Sequence, residues 1–250
     1  MLAMLIAGLL AGLVNTLAGG GPILTLMALT LAGVDPRIGN LTSTVALLPG
    51  QLVTGWSGWR AGGSRVAPHP LPLPLLAGAA AGGAIGAVLL VLIPARAFAV
   101  MVPWLVLFAT LAYLAAPRAK VLAKDRGGSA TLPRWIGGGV PLLGIYGGFY
   151  GGGNSFLLLA MLGWAAVSGK AANDTKNTLV AVINAAAAVV FIGSGSEAWK
   201  FAWALAAGNM VGCLIGLRLL DRISAQWLRA VVVAAGLGLA AVLFWQAYAR

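Results

Sequence analysis

Two glycine runs carry the residues best placed to do chemistry. The first is Gly19, Gly20 and Gly21, followed by Pro22; the second is Gly151, Gly152 and Gly153, followed by Asn154. Three consecutive glycines weaken a helix, and proline suits the first turn of a new one. The first N–H groups of a helix lack intrahelical partners, and its dipole presents partial positive charge there. A helix restarting after each run is therefore an anion-binding end that needs no charged side chain. A second constellation follows each run: Asn40 with Thr44, and Asn173 with Asn177. Members of each pair are four residues apart and share a helix face. In lipid their amides, and the hydroxyls of Thr42 and Thr175, need partners from a bundle interior or a ligand. The alternative is helix capping at the membrane surface. Lys176 could neutralise an anion, or it could snorkel at the interface. Asp174 is the candidate coupling acid, a proton site, unless it caps its own helix. Ser43 stands where the first half would carry the counterpart of Lys176, so such a site is asymmetric.

The elements that must hold these residues are membrane spans. Of 250 residues, 60% are hydrophobic and 8% charged, against roughly a quarter charged in soluble domains. Long, nearly uncharged runs cover Leu71 to Ile93, Phe98 to Ala116, Thr178 to Ile192, Phe201 to Leu217 and Trp227 to Tyr248. Most reach or approach the roughly 20 residues that cross a bilayer as a helix. They lack the alternation of a β-barrel strand. The net charge of +11 sits between the apolar runs, where it orients the protein in the membrane. No basic face with interleaved aromatics suggests nucleic acid. One His and one Cys exclude a disulfide framework and leave little for a membrane-embedded enzyme. His69 reads as a loop residue, Cys213 as packing, and Trp56, Trp59, Trp135, Trp199 and Trp245 as an interfacial aromatic belt. No cofactor is expected. Scattered Gly78, Gly82, Gly86, Gly212 and Gly216 read as close helix packing.

The sequence repeats. Gly12-Leu-Val-Asn-Thr-Leu-Ala-Gly19-Gly20-Gly21 matches Gly144-Ile-Tyr-Gly-Gly-Phe-Tyr-Gly151-Gly152-Gly153 at an offset of 132, and Asn40 matches Asn173 at 133. Each half opens with two apolar pieces, Met1–Ala18 with Pro22–Ala32 and Trp135–Tyr150 with Asn154–Val167. The pair is too long for one crossing and the second piece too short. A helical hairpin broken within the membrane resolves this. Arg60 and Arg65 share a side with Arg118, Lys120, Lys124, Arg126 and Arg134, and that side is cytoplasmic. The hairpin reading also puts Arg218, Arg222 and Arg229 inside. The expected fold is therefore an all-α, polytopic integral membrane protein of two inverted repeats. Each repeat is a broken Gly-rich hairpin followed by three transmembrane helices. The repeats span 1–117 and 134–250, joined by a basic cytoplasmic linker, 118–133.

With these motifs in view, the sequence resembles the TauE/SafE family of membrane permeases, also called the sulfite exporter or DUF81 group. The likeness covers essentially the whole chain, and rests on the two Gly-rich segments and on Gly39-Asn40-Leu-Thr-Ser-Thr and Ala172-Asn173-Asp-Thr-Lys-Asn. Family members often carry an Asp three residues into each segment, where this chain has Asn15 and Gly147. The resemblance implies secondary transport of a small sulfur-containing anion such as sulfite, a sulfonate or thiosulfate. The expected site comprises Gly19, Gly20, Gly21, Asn40, Thr44, Gly151, Gly152, Gly153, Asn154, Asn173, Lys176 and Asn177. A passive anion channel is the alternative. The expected partners are the anion, membrane lipid and a second copy in a homodimer, and the expected location is the cell inner membrane.

Overall fold

The computed structural model describes residues 1–17, 19–60, 71–123, 132–165, 167, 169–196, 198–219 and 225–248. His69, Arg65, Arg222 and the linker core at 124–131 lie outside them. Among the described residues the protein is all-helical. The helices are α1 (Leu2–Leu17), α2 (Gly21–Leu31), α3 (Pro36–Arg60), α4 (Leu73–Leu92) and α5 (Ala95–Ala123), then α6 (Ile136–Phe149), α7 (Asn154–Trp164), α8 (Gly169–Ser194), α9 (Trp199–Leu219) and α10 (Ala225–Tyr248). Their lengths run 16, 11, 25, 20 and 29 residues, then 14, 11, 26, 21 and 24. The internal sequence match thus returns as a match of elements. α5 runs on to Ala123, past the expected start of the linker at 118.

The breaks fall at the glycines. Gly19, Gly151 and Gly153 have φ of +89°, +74° and +80°, a left-handed conformation that L side chains rarely adopt. Gly20 and Gly153 are the N-caps of α2 and α7, and Pro22 occupies the first turn of α2. After the break the chain turns back on itself. A Cβ built on Gly147, near the end of α6, would lie 2.8 Å from Asn154 Cγ, while one on Gly139 would lie 2.8 Å from Met161 Sδ. Contacts that climb one helix while descending the other define an antiparallel hairpin. The first half does the same: Gly21 packs against Ala11 and Asn15, and Met4 shares a core cluster with Leu29. At 1.5 Å per residue, α2 and α7 are about 16 Å long, too short to cross.

The halves interlock through equivalent partners. α1 packs on α9, and its counterpart α6 packs on α4. Both seams are built on glycine: Gly208, Gly212 and Gly216 press on α1, and Gly78, Gly82 and Gly86 press on α6. Backbones approach this closely only where Cβ is absent. α3 and α8 cross at the centre. Asn184 Nδ2 donates to Gln51 Oε1 at 2.8 Å, and both residues are buried. These two residues are 133 apart, the repeat offset, so equivalent positions meet each other. Further contacts link Gly55 to Ala181 and Gly58 to Asp174, so α3 and α8 run antiparallel.

Five helical stretches are long and apolar enough to cross a membrane: Leu73–Leu92, Ala95–Ala112, Lys170–Ser194, Trp199–Leu219 and Ala230–Tyr248. α3 has the length but not the hydropathy. Its Asn40, Thr42, Ser43, Thr44, Gln51 and Thr54 are buried against other helices, so it needs no lipid-compatible face there. Lipid-facing positions are apolar, for example Leu89, Phe108, Val189 and Val211, and the rings of Trp56, Trp135, Trp199 and Trp245 are exposed. The protein is a multi-pass membrane protein.

Candidate functional site: the meeting of two helix breaks

The two breaks touch. A Cβ on Gly19 would lie 2.9 Å from Ser155 Oγ and 3.4 Å from Phe156 Cε1, both in the first turn of α7. Each break is also covered by the last helix of the opposite half. Gly20 faces Val232 of α10 and Gly153 faces Ala109 of α5, with built Cβ atoms 2.6 Å from each neighbour. Short half-helices alone could not hold irregular backbone inside a membrane, so surrounding protein must enclose it. α3 reaches the second break. Asn40 Nδ2 donates to Phe149 O at 3.0 Å, satisfying a C-terminal carbonyl of α6. Thr44 Oγ1 lies 3.8 Å from the position of a Cβ on Gly151. Asn40 and Thr44 therefore do share one face, and it serves the other half's break.

Lys176 is the most telling side chain. It is 1% exposed, so it does not snorkel. Among the described residues no hydrogen bond or ion pair holds its ammonium, which lies within electrostatic reach of Asp174 and of Cys213 on α9. Cys213 packs against α1: its Sγ is 3.5 Å from Gly12 O and from Asn209 Oδ1. Thr16 Oγ1 donates to Gly12 O at 2.9 Å, one turn before Gly19. Burying an ammonium is costly, and in a membrane protein a buried charge marks a candidate functional site.

The remaining expected residues divide. Asn177 is buried, whereas Asn173 and Asp174 are half-buried. The backbone of Asn177 meets Gly55 and that of Asp174 meets Gly58, which sets both on the α3–α8 seam. Thr42 accepts from Ala198 N at 2.9 Å and so ties α3 to the start of α9. Ser43 hydrogen-bonds Thr25 of α2. Asn154 is 2% exposed, and neither amide atom has a hydrogen-bond partner.

Several residues escaped the sequence reading. Tyr150 is buried with an unpartnered hydroxyl, and Tyr146 Oη donates to Gly152 O at 2.7 Å. Ser155 touches the first break, Thr16 precedes it by one turn, and Cys213 packs on α1 at Gly12. Tyr146 and Tyr150 lie inside the quoted Gly-rich motif, so a tyrosine pair in an otherwise apolar segment was a usable signal. Cys213 offered none. The Gln51–Asn184 pair was readable as two amides at the repeat offset.

Comparison with known proteins shows the family. The chain matches the family described as Sulfite exporter TauE/SafE over residues 4–243. It is 28% identical to a Sinorhizobium protein named probable membrane transporter protein ORF9, covering 94% of this chain and 88% of that protein. A probable membrane transporter protein of Haemophilus influenzae is 27% identical over 90% of this chain and 87% of its own length. The probable membrane transporter protein YfcA of Escherichia coli K12 is 24% identical, with 97% and 88% covered. No solved structure matches. With Gly-rich breaks, buried polar spans and a match across nearly its whole length, the chain belongs to the sulfite exporter TauE/SafE family of membrane transporters.

Proposed function

We propose that the protein is a secondary transporter of a small sulfur-containing anion, held where the two helix breaks meet. The observation that carries this reading is Lys176, a buried ammonium that no hydrogen bond or ion pair holds among the described residues, with Asp174 within electrostatic reach. The N-terminal ends of α2 and α7 add partial positive charge. Gly19, Gly20, Gly21, Gly151, Gly152 and Gly153 let the anion approach backbone, while Asn173 and Asn177 line the approach along α8. The two halves act as inverted repeats about the Gln51–Asn184 contact and rock to expose the site alternately. Their antiparallel central helices support that relation. The family description supplies the sulfur-oxyanion class.

The test is direct binding of sulfite, thiosulfate, sulfoacetate, taurine and sulfate to purified protein, followed by flux into liposomes. Saturable binding of at least one sulfur anion and its accumulation against a gradient are expected. Flux that never exceeds equilibrium would make the protein a passive anion channel. Arg96→Ala, at the exposed start of α5, should leave binding unchanged.

The topology reading places the protein in the inner membrane with both ends of the chain outside and the central linker inside. Alkaline phosphatase fused after Arg250 should be active in cells, and a fusion within the linker inactive. The opposite pattern would remove the hairpin topology.

A further inference from the structure

The two ends of the second break have opposite electrical character. α7 begins there with its positive end, while α6 finishes there with unpaired carbonyls and its negative end. On the α6 side, Gly151 N–H donates to Tyr146 O at 3.4 Å, which leaves Gly147 O outside the helical ladder. Gly147 O lies 3.3 Å, and Thr44 Oγ1 3.8 Å, from the position of a Cβ on Gly151. The Thr44 hydroxyl donates its proton to Asn40 O at 3.1 Å, so its lone pairs remain available. The Asn154 amide packs on the Cα side of Gly147, with Nδ2 the nearest atom and Cγ 2.8 Å from the position of a Cβ there, so Oδ1 points away from Gly147. It is 2% exposed, with Oδ1 and Nδ2 both unpartnered. The Tyr150 hydroxyl, also buried and unpartnered, lies 2.7 Å from the position of a Cβ on Gly152. Buried polar groups are almost always satisfied, so the Asn154 amide and the Tyr150 hydroxyl, on neighbouring positions of the break, call for an occupant.

The chemistry narrows what that occupant is. Oxygen lone pairs at the negative end of α6 suit a cation, whereas the positive N-terminal end of α7, across the break, is the end that suits an anion. A divalent cation wants carboxylates, and among the described residues no group of three His, Cys, Asp or Glu side chains is close enough to hold a metal. Amides and aliphatic hydroxyls do not take up protons near neutral pH, and an ordinary phenol is already protonated. A monovalent cation is well served by neutral oxygens, as at other broken membrane helices. We infer that the α6 end of the second break binds Na⁺, with Asn154 Oδ1, Gly147 O, Thr44 Oγ1 and Tyr150 Oη as oxygen donors. As the coupling ion, Na⁺ rests on the proposed function; as a bound cation it stands on this cluster alone. The coupling path is short. Ser155, adjacent to Asn154, forms the wall that touches Gly19, so fixing Asn154 fixes the anion site. A divalent oxyanion would be neutralised by Lys176 and one Na⁺. Na⁺ replaces the proton that Asp174 was expected to carry.

The experiment uses purified full-length protein and radioactive sodium with no anion present. Wild type should bind Na⁺ at millimolar concentration and unfold at higher temperature in NaCl than in equimolar choline chloride. Asn154→Leu should lose both responses while keeping the wild-type unfolding temperature in choline. Should that variant fail to fold, Tyr150→Phe and Thr44→Val must each weaken Na⁺ binding. Sulfite affinity of wild type should be on the order of tenfold higher in Na⁺ than in choline. Absence of Na⁺ binding by wild type, or unchanged binding by the variants, overturns the cation site. Na⁺ binding by wild type and its loss in the variants, without binding of any sulfur anion, would leave the site standing and refute the proposed transport function. Anion affinity equal in Na⁺ and choline would remove Na⁺ as the coupling ion.

Discussion

Lys176→Met should abolish anion-dependent stabilisation of the purified protein without lowering its unfolding temperature in the absence of substrate. Methionine nearly preserves length and volume but removes the charge. A buried ion pair or charge often contributes less to stability than an apolar residue of the same shape. The apo protein should therefore unfold at the same or a higher temperature. Binding behaves in the opposite sense. A charge-assisted hydrogen bond contributes about 1.5–3 kcal/mol, so affinity should fall roughly ten- to a hundred-fold. Lys176→Arg should keep part of it, since charge is retained although donor geometry changes. A merely structural lysine would give the reverse: a lower unfolding temperature and unchanged affinity. Thermal unfolding with and without the preferred anion, on three proteins, separates these outcomes.

The second large effect is expected at Gly153. Its φ of +80° is strained for any L side chain, and a Cβ there would lie 2.6 Å from Ala109 Cβ and 3.1 Å from Ala109 Cα. Valine adds two methyl groups to that clash. Backbone strain of about 1–3 kcal/mol and overpacking of similar size act together. Gly153→Val should yield little folded protein after detergent extraction, judged by a monodisperse elution profile. Gly138→Ala, inside α6, is the matched control. Nothing lies within 4 Å of a Cβ there, so alanine should raise stability by about 0.5–1 kcal/mol through helix propensity. Normal folding of Gly153→Val would mean that the break does not adopt the left-handed turn.

Local chemistry made much of this protein readable in one dimension. Low charge and long apolar runs determined that it lies in a membrane, because a bilayer admits little else. The paired glycine triplets determined where helices break, because they support no stable helix and the next piece is too short to span. The offset of 132–133 residues determined two similar halves, and five helices then repeat in order and nearly in length. The family resemblance followed from those same motifs.

Other properties belong to the three-dimensional arrangement, because they depend on residues far apart in the chain. Hydropathy alone undervalues α3, whose polar side chains are shielded by α8 and α9 rather than by lipid. Lys176 could equally have snorkelled; only the packing of α8 among its neighbours buries it. Asn40 could have capped its own helix, but instead it satisfies a carbonyl 109 residues away. The two breaks were separate local features until the fold set Gly19 against Ser155. Which backbone is irregular and which side chains are polar follow from residue type and spacing. Tertiary structure decided which irregular segments meet, which polar groups are left without partners, and therefore where a ligand would bind.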